Sequence, residues 1–172
     1  METELKYKCR DFKRIVEIVK DMGFKPTKKK HQIDTYLIVS RKRYDGTWEY
    51  LRVREEKGNF SLGYHRVFNE FETEEREIEI NDKEKMIEIM GFLGYEIKCV
   101  VDKKREEYNK SKINIVFDKI KKLGNFVEIE INGNGGKKDK EKVLEMVKKL
   151  GLDEKDRVEG KGYPDLVLEK KC

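Results

Sequence analysis

The 172-residue chain contains no alanine and one glutamine, Gln32, while Lys, Glu and Ile abound. Few labile amides and many charges fit a heat-adapted protein with surface ion-pair networks. A biased genome gives the same picture. No apolar run approaches the length that spans a bilayer. Charge begins at residue 2, where a secretory leader would need an apolar core. Cysteines are few, and Cys9, Cys99 and Cys172 lack metal-site or redox spacing. An odd, scattered set implies reduced thiols and a cytoplasmic protein. Neither sign of charge dominates. Forty basic residues face 35 acidic ones, a net +5 that says little about partners. Charged residues make up 44%, but the apolar positions are periodic, which argues against disorder.

What the chain does have is alternation. Successive strand side chains point to opposite faces. In the opening Glu2-Thr3-Glu4-Leu5-Lys6, two carboxylates and an ammonium therefore share one face. Four later strands repeat the device. Arg52 and Arg54 lie opposite Leu51 and Val53, and Glu77 and Glu79 lie opposite Ile78 and Ile80. Lys103 shares a face with Arg105, and Glu128 with Glu130, the last pair opposite Val127, Ile129 and Ile131. Asp118 ends the strand between these two pairs.

Coarse elements follow from the pattern. Strands are expected at Met1–Cys9, Trp48–Glu55, Phe60–Phe68, Arg76–Ile80, Glu96–Tyr108, Ile113–Asp118 and Phe126–Ile131. The basic stretch Lys25–Lys30 leads into residues 31–37, strand-like at their end. Helices are expected at Phe12–Met22 after Asp11, from Asn81 or Asp82 to Leu93, and at Lys138–Leu150. Asp45-Gly46 signals a turn, the acidic stretch Glu70–Glu75 precedes a strand, and 132–136 forms a loop. From Gly160 the chain is read as a tail. No long linker and no fixed-period repeat breaks the sequence, so 1–172 is expected to form one domain of α+β class.

Many antiparallel strands must manage their edges, and closure into an eight-stranded barrel is one way. If the charged faces looked outward, the apolar ones would fill the barrel, and the helices would have nothing to cover. Charges inside and helices outside satisfies both sets of residues. A wet interior of both signs suits a polyanion: Arg holds phosphate oxygens bidentately, and carboxylates hold hard divalent cations.

At this point the sequence resembles the CYTH superfamily, the triphosphate tunnel metalloenzymes, in its class IV adenylyl cyclase-like branch. The E-x-E-x-K strand is Glu2, Glu4 and Lys6; Leu51 to Arg54 matches the R-x-R strand; Lys103 to Arg105 with Tyr108 matches the K-x-R segment. Phe117-Asp118 with Leu123 to Glu130, and Gln32 to Tyr36, are similar to that branch. The resemblance implies a closed eight-stranded tunnel holding Mg2+ or Mn2+ on Glu2, Glu4, Asp118, Glu128 and Glu130, with Glu79 a further candidate. It assigns the triphosphate (ATP, thiamine triphosphate or tripolyphosphate) to Lys6, Arg52, Arg54, Lys103 and Arg105, with Lys6, Arg54, Arg105 and His65 as candidate catalytic residues. A homodimer stays open. Two departures remove positive charge: His65 stands where relatives tend to carry lysine, and Glu75 where they often carry arginine. The residue types do not choose between cyclase, thiamine or inorganic triphosphatase, and a non-catalytic nucleotide- or polyphosphate-binding module. Nucleic-acid binding through Lys25–Lys30 is disfavoured, because no aromatic residues are interleaved there.

Overall fold

The computed structural model describes residues 2–39, 48–68, 71–133, 136–159 and 161–170. The turn expected at Asp45-Gly46, Cys172, and parts of the stretches at 70–75, 132–136 and 160 onward lie outside the described residues. Eight strands are present: β1 (Glu2–Lys8), β2 (Lys25–Val39), β3 (Trp48–Glu56), β4 (Asn59–Val67), β5 (Glu72–Ile80), β6 (Tyr95–Lys110), β7 (Ile113–Ile120) and β8 (Gly124–Asn132). Four helices accompany them: α1 (Phe12–Asp21), α2 (Lys83–Phe92), α3 (Lys137–Leu150) and α4 (Tyr163–Glu169).

The strands form one curled antiparallel sheet in the order β5-β4-β3-β2-β6-β7-β8-β1. Its two ends approach each other unevenly. Along β8, β1 pairs from Glu2↔Asn132 to Lys8↔Phe126. Against β5 it pairs only at Glu2↔Thr73 and Thr3↔Glu72, with one further bond from Glu4 N to Phe71 O at 3.2 Å. The expected barrel is therefore observed as a curled sheet whose β1–β5 seam is joined at one end.

Two sequence expectations are corrected here. Lys25–Lys30 is no separate approach to a strand. It is the first half of a 15-residue β2 that pairs along nearly all of β6. Lys29 and Lys30 bond Glu106 and Glu107 on β6, at 3.0 and 2.7 Å. The acidic run likewise belongs to β5 from Glu72 onward. The β3–β4 hairpin forms as expected, with Lys57 and Gly58 at φ 52° and 80°, the left-handed conformation of a tight two-residue turn.

The helices explain the apolar side of the strands. Asp11 caps α1, accepting from Arg14 N at 3.1 Å. Ile15 and Val19 of α1 join Val143, Met146, Val147 and Leu150 of α3 over Leu5, Ile115, Val127, Ile129 and Ile131. Full burial of one such side chain stabilises by about 1.5–3 kcal/mol. The greasy faces of β1, β7 and β8 therefore turn outward beneath helices. The helix α2, capped by Asp82, differs: it buries no residue fully and leaves Phe92 82% exposed. Its apolar residues are spread around the axis, so it does not lay one apolar stripe on the sheet. Among the described residues, no helix is long and apolar enough to cross a membrane.

Candidate functional site

The charged faces look inward. Lys6 on β1 and Glu128 on β8 are register partners, and their side chains meet at 3.0 Å. Glu4 and Glu130, one pleat along, are also partners. Carboxylate oxygens of Glu4, Glu128 and Glu130 lie within 4.8 Å of one another. Hard oxygen donors gathered this closely fit a divalent cation. Burial raises the Glu4 carboxyl above its ordinary range, and Glu128 and Glu75 push it the same way, against Lys6. Burial alone would raise Glu128 too, but Lys6 and Arg105 more than reverse it and hold it well below that range.

The basic residues stand on the same inner wall. Arg105 grips Asp118 with Nε at 2.8 Å and Nη2 at 2.6 Å, and Nη2 also reaches Glu128 at 2.5 Å. Arg54 grips Asp34 bidentately at 2.7 and 2.9 Å, and Lys103 Nζ lies 3.2 Å from the same carboxylate. Arg52 Nη2 bonds Glu77 at 2.9 Å. Burial, then Arg105, pull the Lys103 ammonium down to about 8 against Asp34 and Asp118. Burial would likewise depress Lys6, but Glu128 and Glu4 lift it above the usual lysine range.

Of the residues singled out in the sequence, Glu4, Lys6, Arg52, Arg54, Lys103, Arg105, Asp118, Glu128 and Glu130 are brought together inside the curl. The backbone of Glu2 pairs with Asn132 and Thr73. Glu79 is exposed near the end of β5, apart from the three converging carboxylates. Asp118 is fully buried and already engaged by Arg105 and Tyr163. His65 and Glu75 are register partners, with Nδ1 2.9 Å from Oε1.

Sequence reasoning missed Asp34, which holds Arg54 and Lys103, and one contributor from the C-terminal segment. The tail folds as α4, which sends Tyr163 into the interior. Its hydroxyl donates to Asp118 Oδ2 at 2.8 Å, and Lys6 Nζ sits 4.3 Å from its ring centroid. Pro164 in the first turn, and Asp165 accepting from Gly162 N at 2.9 Å, start this helix. Those two residues were the available signal. A cleft opens beside α4, lined by Glu4, Lys6, Tyr50, Glu75, Trp48 and Pro164.

The CYTH domain family matches residues 1–160. A Methanocaldococcus jannaschii protein named "Putative adenylate cyclase" is 37% identical, covering 96% of this chain and 98% of that one. Two solved structures have 28% identity and cover 96% of this chain and 99% of theirs. One is from Pyrococcus horikoshii (TM-score 0.85) and one from Pyrococcus furiosus (0.84). The chain belongs to the CYTH domain family.

Proposed function

We propose that this CYTH chain, 1–172 acting as one tunnel domain closed along the β1–β5 seam, is a divalent-metal-dependent enzyme acting on a triphosphate. It is most like class IV adenylyl cyclase, which turns ATP into cyclic AMP and pyrophosphate. The observation that carries this is the approach of Glu4, Glu128 and Glu130 within 4.8 Å, with Lys6 and Arg105 bonded to the same carboxylates.

Each residue has a role that its chemistry allows. Glu4, Glu128 and Glu130 would hold Mg2+ or Mn2+, with Glu2 and Asp118 as further candidates, whereas Glu79 lies apart from that cluster. A bound ion supplies charge neutralisation on the phosphates and a more acidic attacking hydroxyl. Lys6, Arg52, Arg54, Lys103 and Arg105 bind and orient the phosphate chain, placing the reacting phosphorus against its nucleophile. Attack by the ribose 3′-hydroxyl on the α-phosphorus gives cyclic AMP. Attack by water on the γ-phosphorus gives a triphosphatase. The name of the M. jannaschii relative supports the cyclase.

One observation favours a second reading, a non-catalytic polyphosphate-binding module. Glu75 brings negative charge to the cleft beside Glu4 and Lys6, and His65, where the family resemblance implies a lysine, is a titrating group rather than a permanent cation. The assay that decides offers the purified protein ATP, thiamine triphosphate and tripolyphosphate with magnesium or manganese. Cyclic AMP and pyrophosphate from ATP is the expected result. Hydrolysis of the other two would make it a triphosphatase. Binding of tripolyphosphate with no turnover of any substrate would establish the binding module and end the enzyme reading.

A further inference from the structure

His65 and Glu75, the two positions that the sequence resemblance set apart, face each other across β4 and β5. His65 is 1% exposed. Its ring stacks on Tyr50, with centroids 4.8 Å apart and planes at 11°. Nδ1 lies 2.9 Å from Glu75 Oε1, bent away from hydrogen-bond alignment, and neither ring nitrogen has a well-formed bond. Nε2 leans over Gly63, only 3.1 Å from where a Cβ would stand, and Arg52 Nη2 and Glu77 Oε2 are each 3.6 Å from that point. Arg52 Nε is a third buried atom without a hydrogen-bond partner on this wall.

Such an arrangement is incomplete in either protonation state. A lone pair on Nδ1 facing a carboxylate at 2.9 Å would be repulsive, so Nδ1 carries the proton of the neutral ring. That leaves a buried lone pair on Nε2 with no donor. The imidazolium would instead leave a buried N–H with no acceptor. Either orphan is costly in a buried site. Ionised phosphoryl oxygens only accept, so an entering deprotonated phosphate satisfies the protonated ring and not the neutral one.

Resting on the triphosphate reading above, we propose that His65 is a proton-coupled phosphate ligand. It takes up a proton from solvent as a triphosphate enters, donates from Nε2 to a phosphoryl oxygen beside Arg52, and is held as an imidazolium between that oxygen and Glu75. The groups facing it are Glu75 and Glu77 from β5 and Tyr50, Arg52 and Arg54 from β3, with Glu4 and Lys6 across the interior. Burial holds the imidazole below its ordinary range; Arg52 and Arg54 add to this and the bond with Glu75 only partly offsets it. Burial would raise the Glu75 carboxyl, but His65, Arg52 and Arg54 bring it down to about 2, so it stays anionic and ready to support the imidazolium. A bound polyanion adds a second negative neighbour and raises the ring's proton affinity.

Calorimetry in two buffers of different ionisation heat tests this with magnesium tripolyphosphate at pH 7.5. Tripolyphosphate itself titrates, so the difference between proteins is the readout. The intact chain should take up about one more proton per ligand than His65→Asn, with affinity falling up to about tenfold per pH unit on the basic side. Gly63→Ala should weaken binding without removing a charge, because its Cβ crowds Nε2. Equal proton uptake in the two proteins would overturn the proposal. The chain has only two histidines, His31 and His65, so imidazole NMR of the unmutated protein provides a second readout. A His65 ring still neutral in the complex would also overturn it, even if His65→Asn fails to fold. Absence of tripolyphosphate binding would overturn the triphosphate reading along with it, whereas binding without the extra proton would overturn this proposal alone.

Discussion

Tyr163 Oη donates to Asp118 Oδ2 at 2.8 Å, joining the C-terminal helix α4 to the inner wall of β7. Arg105 already engages both oxygens of that carboxylate, so Tyr163 completes its coordination. A hydrogen bond to a charged group contributes about 1.5–3 kcal/mol. Tyr163→Phe keeps the ring contacts with Lys6 and Phe126 and loses only this bond. The unfolding free energy in urea should fall by about that amount, and an unchanged value would mean that Asp118 does not depend on the phenol.

Removing carboxylates should separate metal binding from folding. Glu128→Ala with Glu130→Ala deletes two of the three converging acids. Lys6 and Arg105 are left short of partners, so some stability is lost, but the outer core over Ile129 and Ile131 is untouched. Manganese binding, followed by its electron paramagnetic resonance signal, should be abolished while circular dichroism stays that of the parent. Retained manganese binding would contradict the assignment of these two glutamates.

Lys6→Ala removes an ammonium that lies 11% exposed against Glu128. Magnesium tripolyphosphate should bind at least about tenfold more weakly, the equivalent of roughly 1.4 kcal/mol. Unchanged affinity, measured by calorimetry, would mean that β1 does not contribute this side chain to phosphate binding.

Acid should loosen the fold in a defined window. Asp34 is held far below its ordinary range: burial opposes this, but Lys103 and Arg54 prevail. Against their burial, Glu128 is lowered by Lys6 and Arg105, and Glu75 by its bond with His65 together with Arg52 and Arg54. A carboxyl lowered in the folded state gives stability that is whole above its unfolded pKa, near 4, and is lost as pH falls through the folded one. Glu4, raised on folding, works in the opposite sense. Melting temperature should therefore drop below about pH 4.5. Asp34→Asn should flatten that drop, although it lowers stability at neutral pH by stranding Arg54 and Lys103. A mutant curve parallel to the parent's would rule out Asp34 as a source of the acid response.

Ile129→Ala tests the outward apolar face. The side chain is fully buried beneath the helices, and truncation there costs about 2–5 kcal/mol. Chemical denaturation should show that loss while manganese affinity at the opposite face stays the same. A stability change below about 1 kcal/mol would contradict this packing.

The inward orientation was legible in the sequence because period two leaves only one face for each charged pair. Glu4 with Lys6, Arg52 with Arg54, and Glu128 with Glu130 all lie where alternation put them. The first half of β2 was not legible, because lysines on both faces erase the period. Only its partner β6, with Glu106 and Glu107 opposite, makes it a strand. Tyr163 was hidden because a seven-residue helix is too short to show periodicity. His65 and Glu75 were each singled out by the sequence resemblance, but their pairing depends on the β4–β5 register, which no single strand encodes.

The inner-wall acids named above, with Glu75 and Glu77 among them, outnumber the lysines and arginines they meet. Such walls on their own would repel the polyanion that their cations attract. A divalent ion held by Glu4, Glu128 and Glu130 would reverse that balance and free Lys6 and Arg105 to meet phosphate. Ion and phosphate should consequently each tighten the other's binding by the same factor.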